Sequence, residues 1–256
     1  MAQIIAIANQ KGGVGKTTTA VNLSASLAAA ERRTLLIDLD PQANSTSGLG
    51  VDPHALEQTV YHVLLGSVPA LTVRKDTPLG HLHLLPANPD LIGAEVELIS
   101  ALAREGKLKS ALVEAREEYD YILIDCPPSL GLLTINALTA ADRVLIPLQC
   151  EYYAMEGLSQ LLNTVRLIQR ELNPKLALLG ILLTMFDARN NLSHQVVEEI
   201  RKHFDGEVFE AMIPRNVRLS EAPSHGLPAL LYDIASRGAT AYLDLAREII
   251  RREPLT

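Results

Sequence analysis

The chain has 256 residues, 48% hydrophobic and 21% charged, a composition that indicates a globular protein and excludes disordered, collagen-like and coiled-coil chains. Its 23 basic and 30 acidic residues give a formal charge of -7, which argues weakly against a nucleic-acid or anionic-membrane partner because attraction to phosphate requires positive potential. Two cysteines without a CxxC spacing exclude a disulfide framework and indicate a reducing compartment.

Short apolar runs alternate with segments of helical periodicity along the whole chain. The apolar runs, which predict strands, cover residues 4–8, 34–37, 82–85, 121–124, 144–148, 176–184 and 208–213. The helical segments cover residues 17–30, 91–104, 107–117, 132–140, 155–172, 192–204 and 239–252. Residues 44–80 are the least regular part, with at most one short helix near residues 59–65. This alternation predicts a doubly wound α/β fold, a mostly parallel sheet with helices on both faces, in a single domain over residues 1–256.

A glycine-rich loop lies between the first predicted strand and the first predicted helix. Glycines let the backbone approach an anion closely, and successive N–H groups together with a helix N-terminus attract negative charge. Lys16 would bring a positive charge to the β- and γ-phosphates of a nucleotide, and the Thr17 hydroxyl would ligate Mg²⁺. Gln10 stands where the usual phosphate-loop pattern has its first glycine. The nucleotide-binding residues predicted from this loop are Gly12, Gly13, Val14, Gly15, Lys16, Thr17 and Thr18.

Two of the predicted strands end in aspartate. Asp38 and Asp40 follow the run at residues 34–37, and Asp125 follows the run at residues 121–124. Ligands of such sheets bind beyond the carboxyl ends of the strands, where a carboxylate suits Mg²⁺, usually through water. A single aspartate at a strand end is more often a helix cap or a turn former. Three of them beside a phosphate loop favour a nucleotide–magnesium site.

Residues 11–17, Lys-Gly-Gly-Val-Gly-Lys-Thr, resemble the deviant Walker A loop of the ParA/MinD family of P-loop ATPases. In that family the first lysine, here Lys11, reaches across a dimer interface to the nucleotide of the partner subunit. A second cation at that point would stabilise charge that develops during phosphoryl transfer. The resemblance therefore adds Lys11 to the nucleotide-binding residues and gives both Lys11 and Lys16 a catalytic role. A solvated loop lysine is the alternative for Lys11.

The same resemblance assigns roles to the strand-end carboxylates. The strand before Asp125 resembles a Walker B strand, which implies that Asp125 lies near the metal together with Thr17. The strand before Asp38 resembles the first switch segment of the family. That similarity implies that Asp38 lies near the metal shell and that Asp40 positions or deprotonates the attacking water.

Two later stretches, residues 182–192 and 213–224, are similar to the chromosomal, Soj-type branch of the ParA proteins. From chemistry alone, proline offers apolar surface to a base and asparagine offers amide hydrogen bonds. The resemblance places Pro214 and Asn216 at the adenine, and it places Arg189 and Arg218 on a DNA-binding face.

The DNA assignment has an alternative. Residues 211–220 carry two arginines and no acid, which makes a local positive patch. The arginines of this region are otherwise solvated, or they pair with Asp187 and Glu221. No helix suited to reading bases is evident, so we expect binding to the DNA backbone without sequence specificity. Dimerisation would double the number of phosphate contacts and make that binding steeply dependent on salt.

The resemblance extends from residue 3 to about residue 250 and implies a chromosome-partitioning ATPase. ATP and Mg²⁺ would drive a sandwich homodimer that binds double-stranded DNA nonspecifically. Hydrolysis to ADP and phosphate, stimulated by a ParB-type centromere-binding protein, would release the DNA. We expect a cytoplasmic, nucleoid-associated protein without a membrane partner. Because the phosphate loop begins at residue 9, no N-terminal helix-turn-helix domain is expected.

Three alternatives stay open at this point. A MinD-like membrane-associated ATPase of cell-division-site selection would need an amphipathic membrane helix, whereas the helical segment at residues 239–252 has the pattern of a core helix. An iron–sulfur protein would need Cys126 and Cys150 to share a cluster across a dimer. A P-loop protein that binds nucleotide without turnover would differ from an ATPase only in steady-state phosphate release.

Overall fold

A seven-stranded sheet with helices on both faces makes up the protein, which the computed structural model describes over residues 1–151 and 154–252. The strands are β1 Gln3–Ile7, β2 Thr34–Asp38, β3 Lys75–Asp76, β4 Leu82–Leu85, β5 Tyr121–Asp125, β6 Arg143–Gln149 and β7 Ala177–Thr184. The helices are α1 Lys16–Ala29, α2 Asn44–Gly48, α3 Val60–Leu64, α4 Ala70–Val73, α5 Leu91–Glu97, α6 Lys107–Ala111, α7 Ala115–Glu118, α8 Leu132–Ala140, α9 Ala154–Glu171, α10 Asn191–His203, α11 Val217–Glu221, α12 Ala229–Tyr232 and α13 Arg237–Arg252. Short 3₁₀ turns lie at Pro53–Ala55, Leu98–Ser100, Arg104–Gly106 and Ala222–His225.

The order of the strands places β1 near the middle of the sheet. The sheet runs β3-β4-β2-β5-β1-β6-β7, and every neighbouring pair is parallel except the short edge pair β3–β4. The carboxyl ends of the parallel strands therefore meet along one edge, with the end of β1 between those of β5 and β6. The predicted doubly wound α/β fold is confirmed.

Alternate residues of each central strand enter opposite layers of the core. In β1, Ile4 and Ala6 belong to the core layer that contains residues of α3, α5, α6, α8 and α9, while Ile5 and Ile7 belong to the layer that contains residues of α1 and α13. Each fully buried isoleucine among these side chains stabilises the fold by about 1.5–3 kcal/mol. Burial on both faces explains why the parallel strands read as continuous apolar runs rather than as alternating ones.

The apolar run at residues 208–213, predicted as a strand, is not one. It forms one isolated bridge to β7, between Val208 and Ile181, and a second bridge joins Pro214, which directly follows the run, to Phe186, which lies just beyond β7. Between them, the N–H groups of residues 210 and 211 donate to the buried carboxylate of Glu248 on α13, at 2.9 and 3.0 Å. Because these N–H groups are taken by a side chain, they cannot extend the ladder.

The segment at residues 44–80 holds more structure than the sequence predicts. It contains α2, α3, α4, a 3₁₀ turn and β3, where the pattern indicates at most one short helix. Each of these helices has four or five residues, too few to be stable alone, so contacts elsewhere in the protein stabilise them. The α2 helix, for example, is bonded through Thr46 to the carboxylate of Asp38.

Two predicted helices are shorter than their patterns. The segment at residues 107–117 forms α6 and α7 with a turn between them, although Leu112 and Arg116 still donate to carbonyls four residues back. The segment at residues 91–104 forms α5 and a 3₁₀ turn. It then breaks, and Ala103 has a φ angle of 49°, which no helix can contain.

Candidate functional site

The loop between β1 and α1 forms an open cradle of backbone. Gly13 and Gly15 have φ angles of 73° and 89°, in the left-handed region that favours glycine. A Cβ atom added at Gly12 or Gly13 would meet nothing within 4 Å, so there is room for a ligand to approach the backbone there. The first turn of α1 adds unpaired N–H groups and a partial positive charge. The loop lies where the sequence predicts it, between strand and helix.

Lys16 is a buried cation at this loop. Its residue is 7% exposed, and its Nζ donates to the carbonyl oxygen of Lys11 at 3.2 Å. Burial lowers the pKa of Lys16, while the nearby carboxylates of Asp125 and Asp40 act in the opposite direction. A buried ammonium group that bonds to a neutral backbone carbonyl gains strongly from an anion that enters the loop.

Side chains from other strand ends anchor the loop. The Thr184 hydroxyl, at the end of β7, donates to the Val14 carbonyl at 2.8 Å. The Asn9 amide donates to the Pro147 carbonyl of β6 at 2.8 Å and accepts from the Lys11 N–H at 3.0 Å. The loop is therefore attached to the sheet at Asn9 and at Val14, on both sides of Gly12 and Gly13, which fixes where its N–H groups lie.

Asp38 and Asp125 occupy paired positions at the ends of β2 and β5 and are both fully buried. Asp38 Oδ2 accepts from the N–H and the hydroxyl of Thr46, at 2.8 and 2.7 Å. Asp125 Oδ2 accepts from the Ser45 hydroxyl at 2.8 Å. Within the described residues, Asp125 Oδ1 is buried without a hydrogen-bond partner. An unpartnered carboxylate oxygen beside a phosphate loop fits a water or a cation.

The electrostatics of this pair also fit a divalent cation. Burial raises the pKa of Asp38 to about 6, and burial together with the charge of Asp38 raises the pKa of Asp125 to about 7. The Ser45 and Thr17 hydroxyls act in the opposite direction on Asp125. Two carboxylates and a hydroxyl are the hard oxygen donors that Mg²⁺ takes. In the described part of the chain no group of three or more His, Cys, Asp or Glu is placed to hold a metal ion.

We expect Asp125→Asn to stabilise the ligand-free protein increasingly as the pH rises from about 4 to about 7. The pKa of Asp125 is about 7 in the folded chain against a usual 3.8, so over this range the folded chain holds a proton that the unfolded chain has lost. Asp125 therefore lowers the free energy of unfolding of the wild-type protein more and more as the pH rises through this range. Urea unfolding of both proteins across this range measures the difference, and a difference that stays constant with pH would contradict the assignment.

Asp40 lies in the turn that follows β2. Its residue is 7% exposed, and its Oδ1 accepts from the Gln42 N–H at 2.9 Å. Its own N–H donates to Asp38 Oδ1 at 3.2 Å, which ties the turn to the strand end. The charge of Asp40 acts on Lys16, so the carboxylate lies at the same edge of the sheet as the phosphate loop. This geometry suits a group that orients a water beside bound phosphates.

A cleft of about 280 Å³ opens beside the phosphate loop. Pro214 and Asn216 line it together with Gly15 and Thr18, so residues predicted for the base and for the phosphates share one space. Asn216 Oδ1 accepts from a backbone N–H of α11 at 3.0 Å, which leaves the amide nitrogen to donate to a ligand. An apolar cleft with one oriented amide suits a planar heterocycle.

Arg189 and Arg218 are exposed and paired with nearby acids, as the alternative interpretation of the sequence allows. Arg189 contacts both carboxylate oxygens of Asp187 at 3.0 Å, and this lowers the pKa of Asp187 to about 2. Arg218 contacts Glu221 at 2.8 Å and Asp233 at 3.2 Å. Exposed ion pairs are weak, so both arginines remain available to a more highly charged ligand.

The two cysteines lie in the core. Cys126 and Cys150 are both buried and neither is in a disulfide. Burial raises the pKa of Cys150 to about 11 and raises that of Cys126 as well. Cluster ligands must be thiolates, so these sites disfavour an iron–sulfur centre.

The C-terminal helix α13 packs into the core. Leu245, Ala246 and Ile249 are buried, and Tyr242 bonds to Thr19 of α1 at 3.1 Å. The apolar face is covered by α1, which disfavours the membrane-associated alternative; residues 253–256, which follow the helix, lie outside the described residues. None of the described helices combines the length and apolar character needed to cross a bilayer.

Sequence reasoning missed several residues that build the site. Ser45 and Thr46 bond to the paired carboxylates, but they lie in the irregular segment, where nothing in the pattern marks them. Thr184 has a recognisable signal, since it ends an apolar run at the carboxyl edge of the sheet. Tyr242 lines the cleft from a helix whose periodicity indicates only a core face.

Comparison with known sequences finds close similarity along nearly the whole chain. A model of the AAA domain family matches residues 2–178. The sporulation initiation inhibitor protein Soj of Bacillus subtilis (strain 168) is 60% identical over 249 residues, which cover 97% of this chain and 98% of that protein. The chromosome partitioning protein ParA of Myxococcus xanthus (strain DK1622) is 60% identical over 251 residues, which cover 98% of this chain and 89% of that protein.

Solved structures share the fold. Cobyrinic acid a,c-diamide synthase from Mycobacterium smegmatis, with bound ADP and magnesium, superposes with a TM-score of 0.87 at 42% identity, over 98% of this chain and 95% of that one. The cell division ATPase MinD of Pyrococcus furiosus superposes with a TM-score of 0.81 at 28% identity, over 99% of this chain and 100% of that one.

Proposed function

This chain belongs to the Soj/ParA family of chromosome-partitioning ATPases, and on that premise we propose that ATP binding makes it dimerise and hold DNA. The chain is an ATPase of the P-loop fold that acts in chromosome partitioning, with ATP or ADP and Mg²⁺ as its ligands. The single observation that carries the assignment is the open glycine loop, at which buried Lys16 lies close to Asp125 and Asp40.

The residues of the site divide the work of ATP hydrolysis. Lys16 and the backbone of residues 12–18 bind the β- and γ-phosphates, while Pro214 and Asn216 hold the adenine. Thr17, Asp38 and Asp125 would hold Mg²⁺, which neutralises phosphate charge. Asp40 orients the attacking water and takes its proton.

Two subunits with ATP would bring their phosphate loops face to face. Lys11 would then extend to the nucleotide of the partner subunit and add a cation to the transferring phosphoryl group. The half-exposed Lys11 side chain supports this role, since a buried lysine could not reach another subunit. ATP shifts the equilibrium to the dimer because ADP lacks the γ-phosphate that both subunits contact.

The dimer would bind double-stranded DNA through the surface of Arg189 and Arg218. Both side chains are exposed, and their contacts to phosphate would be sequence-independent. Hydrolysis, stimulated by a ParB-type partner, would return the protein to monomers that release the DNA. The protein would therefore associate with the nucleoid in its ATP state.

A DNA retardation assay tests this proposal. Protein with ATP, with ADP and without nucleotide is titrated against DNA at two salt concentrations. We expect retardation with ATP only, and a steep loss of binding at the higher salt because several phosphates are neutralised at once. Equal binding in the ADP and ATP states would overturn the proposed coupling.

We expect Arg218→Glu to abolish DNA binding and to leave ATP-dependent dimerisation intact. The change removes an exposed cation and adds an acid beside Glu221 and Asp233, so the surface repels phosphate. Arg170→Glu, which reverses another exposed arginine paired with a glutamate, is the matched control and should bind DNA normally. DNA retardation measures DNA binding, and sedimentation measures dimerisation. Loss of dimerisation in Arg218→Glu would indicate that Arg218 lies at the subunit interface instead.

A further inference from the structure

Lys11 forms an ion pair within its own subunit. Its Nζ lies 3.2 Å from Glu151 Oε2, and the two side chains are 43% and 48% exposed. Glu151 is itself held in place, because its Oε1 accepts from the Gln149 amide at 2.6 Å and its N–H donates to the Gln149 carbonyl at 2.8 Å. The carboxylate that meets Lys11 is thus oriented by the end of β6.

The residue before Lys11 is tied to the same part of the chain. The Gln10 amide donates to the Gly157 carbonyl at 3.2 Å and to Gln160 Oε1 at 2.8 Å, both on α9. Residues 10 and 11 therefore contact the segment that follows β6, while residues 12–16 form the open cradle. In a monomer, the side chain of Lys11 is held on that side of the loop.

We propose that Glu151 is a positioning residue that holds Lys11 in its own subunit, and that this ion pair must open before Lys11 reaches a partner nucleotide. The inference rests on the proposed function, in which Lys11 acts across a dimer. One Nζ cannot meet both Glu151 and a distant phosphate, so the two contacts compete. A triphosphate in a closing interface carries more charge than one carboxylate and displaces it. Without that partner, Lys11 returns to Glu151.

This competition weakens the dimer, because opening the ion pair costs free energy on association. An exposed ion pair favours its closed form by about two- to fivefold. Because two such pairs open when two subunits associate, removing them should tighten the dimer by about 4- to 25-fold. The ion pair would thus keep subunits apart until ATP fills both loops.

Sedimentation of the full chain with a nonhydrolysable ATP analogue and Mg²⁺ measures this effect. We expect Glu151→Gln, which keeps the shape and the contact to Gln149, to lower the dimer dissociation constant. Glu151→Asp should restore part of the wild-type value. In a Lys11→Ala background the same Glu151→Gln change should have no effect. Glu171→Gln, which removes an exposed acid paired with Arg170, is the matched control and should match the wild type.

The salt dependence of the dimer dissociation constant distinguishes an effect of the ion pair from an effect of packing. Between about 0.1 M and about 1 M salt the screening length falls from about 10 to about 3 Å, so the difference between wild type and Glu151→Gln should shrink. This inference alone would be overturned if Glu151→Gln left the dimer dissociation constant unchanged or raised it. It would also be overturned if Glu151→Gln lowered that constant equally in the Lys11→Ala background. If neither wild type nor Glu151→Gln dimerised with the analogue, the proposed function and this inference would both fall.

Discussion

Asp40→Ala should bind ATP with wild-type affinity and hydrolyse it about 10²- to 10⁴-fold more slowly, the usual effect of losing a general base. The Asp40 carboxylate acts on Lys16 only through space, whereas the backbone of the phosphate loop and Lys16 itself make the contacts to the nucleotide. Removing Asp40 therefore leaves the binding surface in place and takes away the group that orients water. Equilibrium binding of a fluorescent ATP analogue and steady-state phosphate release give the two quantities.

The chain offers a close control for this change. Asp52 makes the same turn contact as Asp40, since its Oδ1 accepts at 2.9 Å from the N–H of the residue two positions on. Asp52→Ala removes that contact at an aspartate outside the predicted site and should hydrolyse ATP normally. Equal loss of binding and hydrolysis in Asp40→Ala would show that Asp40 supports the loop rather than the reaction.

Lys16→Ala should lose nucleotide binding. A charge-assisted hydrogen bond contributes about 1.5–3 kcal/mol, which corresponds to about 10- to 100-fold in the dissociation constant. Burial of the ammonium group strengthens the contact further, since little water competes for it. Calorimetric titration with ATP and Mg²⁺ measures the loss, and an ATP affinity within threefold of the wild type would contradict the role of Lys16.

Urea unfolding of Lys16→Ala distinguishes a loss of ligand contacts from a loss of folding stability. Lys16 is a buried cation whose Nζ bonds to the Lys11 carbonyl, so its removal should not destabilise the ligand-free fold. Lys175→Ala, at an exposed lysine between α9 and β7, is the control for loss of a positive charge in general. A large drop in the midpoint of urea unfolding for Lys16→Ala alone would point to a structural role.

The elements that the sequence predicts well are those whose environment is uniform along their length. The strands β1, β2, β5 and β7 are buried on both faces, so their patterns are continuous and bounded. Helices of four or five residues in the segment at 44–80 depend on contacts with distant residues, which no local window contains. The run at 208–213 has a strand pattern, but the Glu248 carboxylate takes its N–H groups.

The candidate site divides in the same way. Residues 12–18, Asp38, Asp40 and Asp125 lie at or soon after strand ends, where sheets of this class bind ligands, so the sequence marks them as candidates. Lys11 is a candidate only through the family resemblance. The hydroxyls of Ser45 and Thr46 that support the carboxylates carry no local pattern. The contact between Lys11 and Glu151 could not be predicted either, since 140 positions of chain separate the two residues.

The bond between Thr19 and Tyr242 spans 223 positions of chain, and it has a consequence for synthesis. Residues 12–18 leave the ribosome early, yet the cleft beside them is walled by Thr184, Pro214 and Asn216, and α13 packs behind α1. At about 5–20 residues per second, the early loop exists for roughly 10–45 s before its last support is made. A nascent chain therefore acquires its nucleotide pocket only at the end of translation, and truncated products should carry the loop without forming the site.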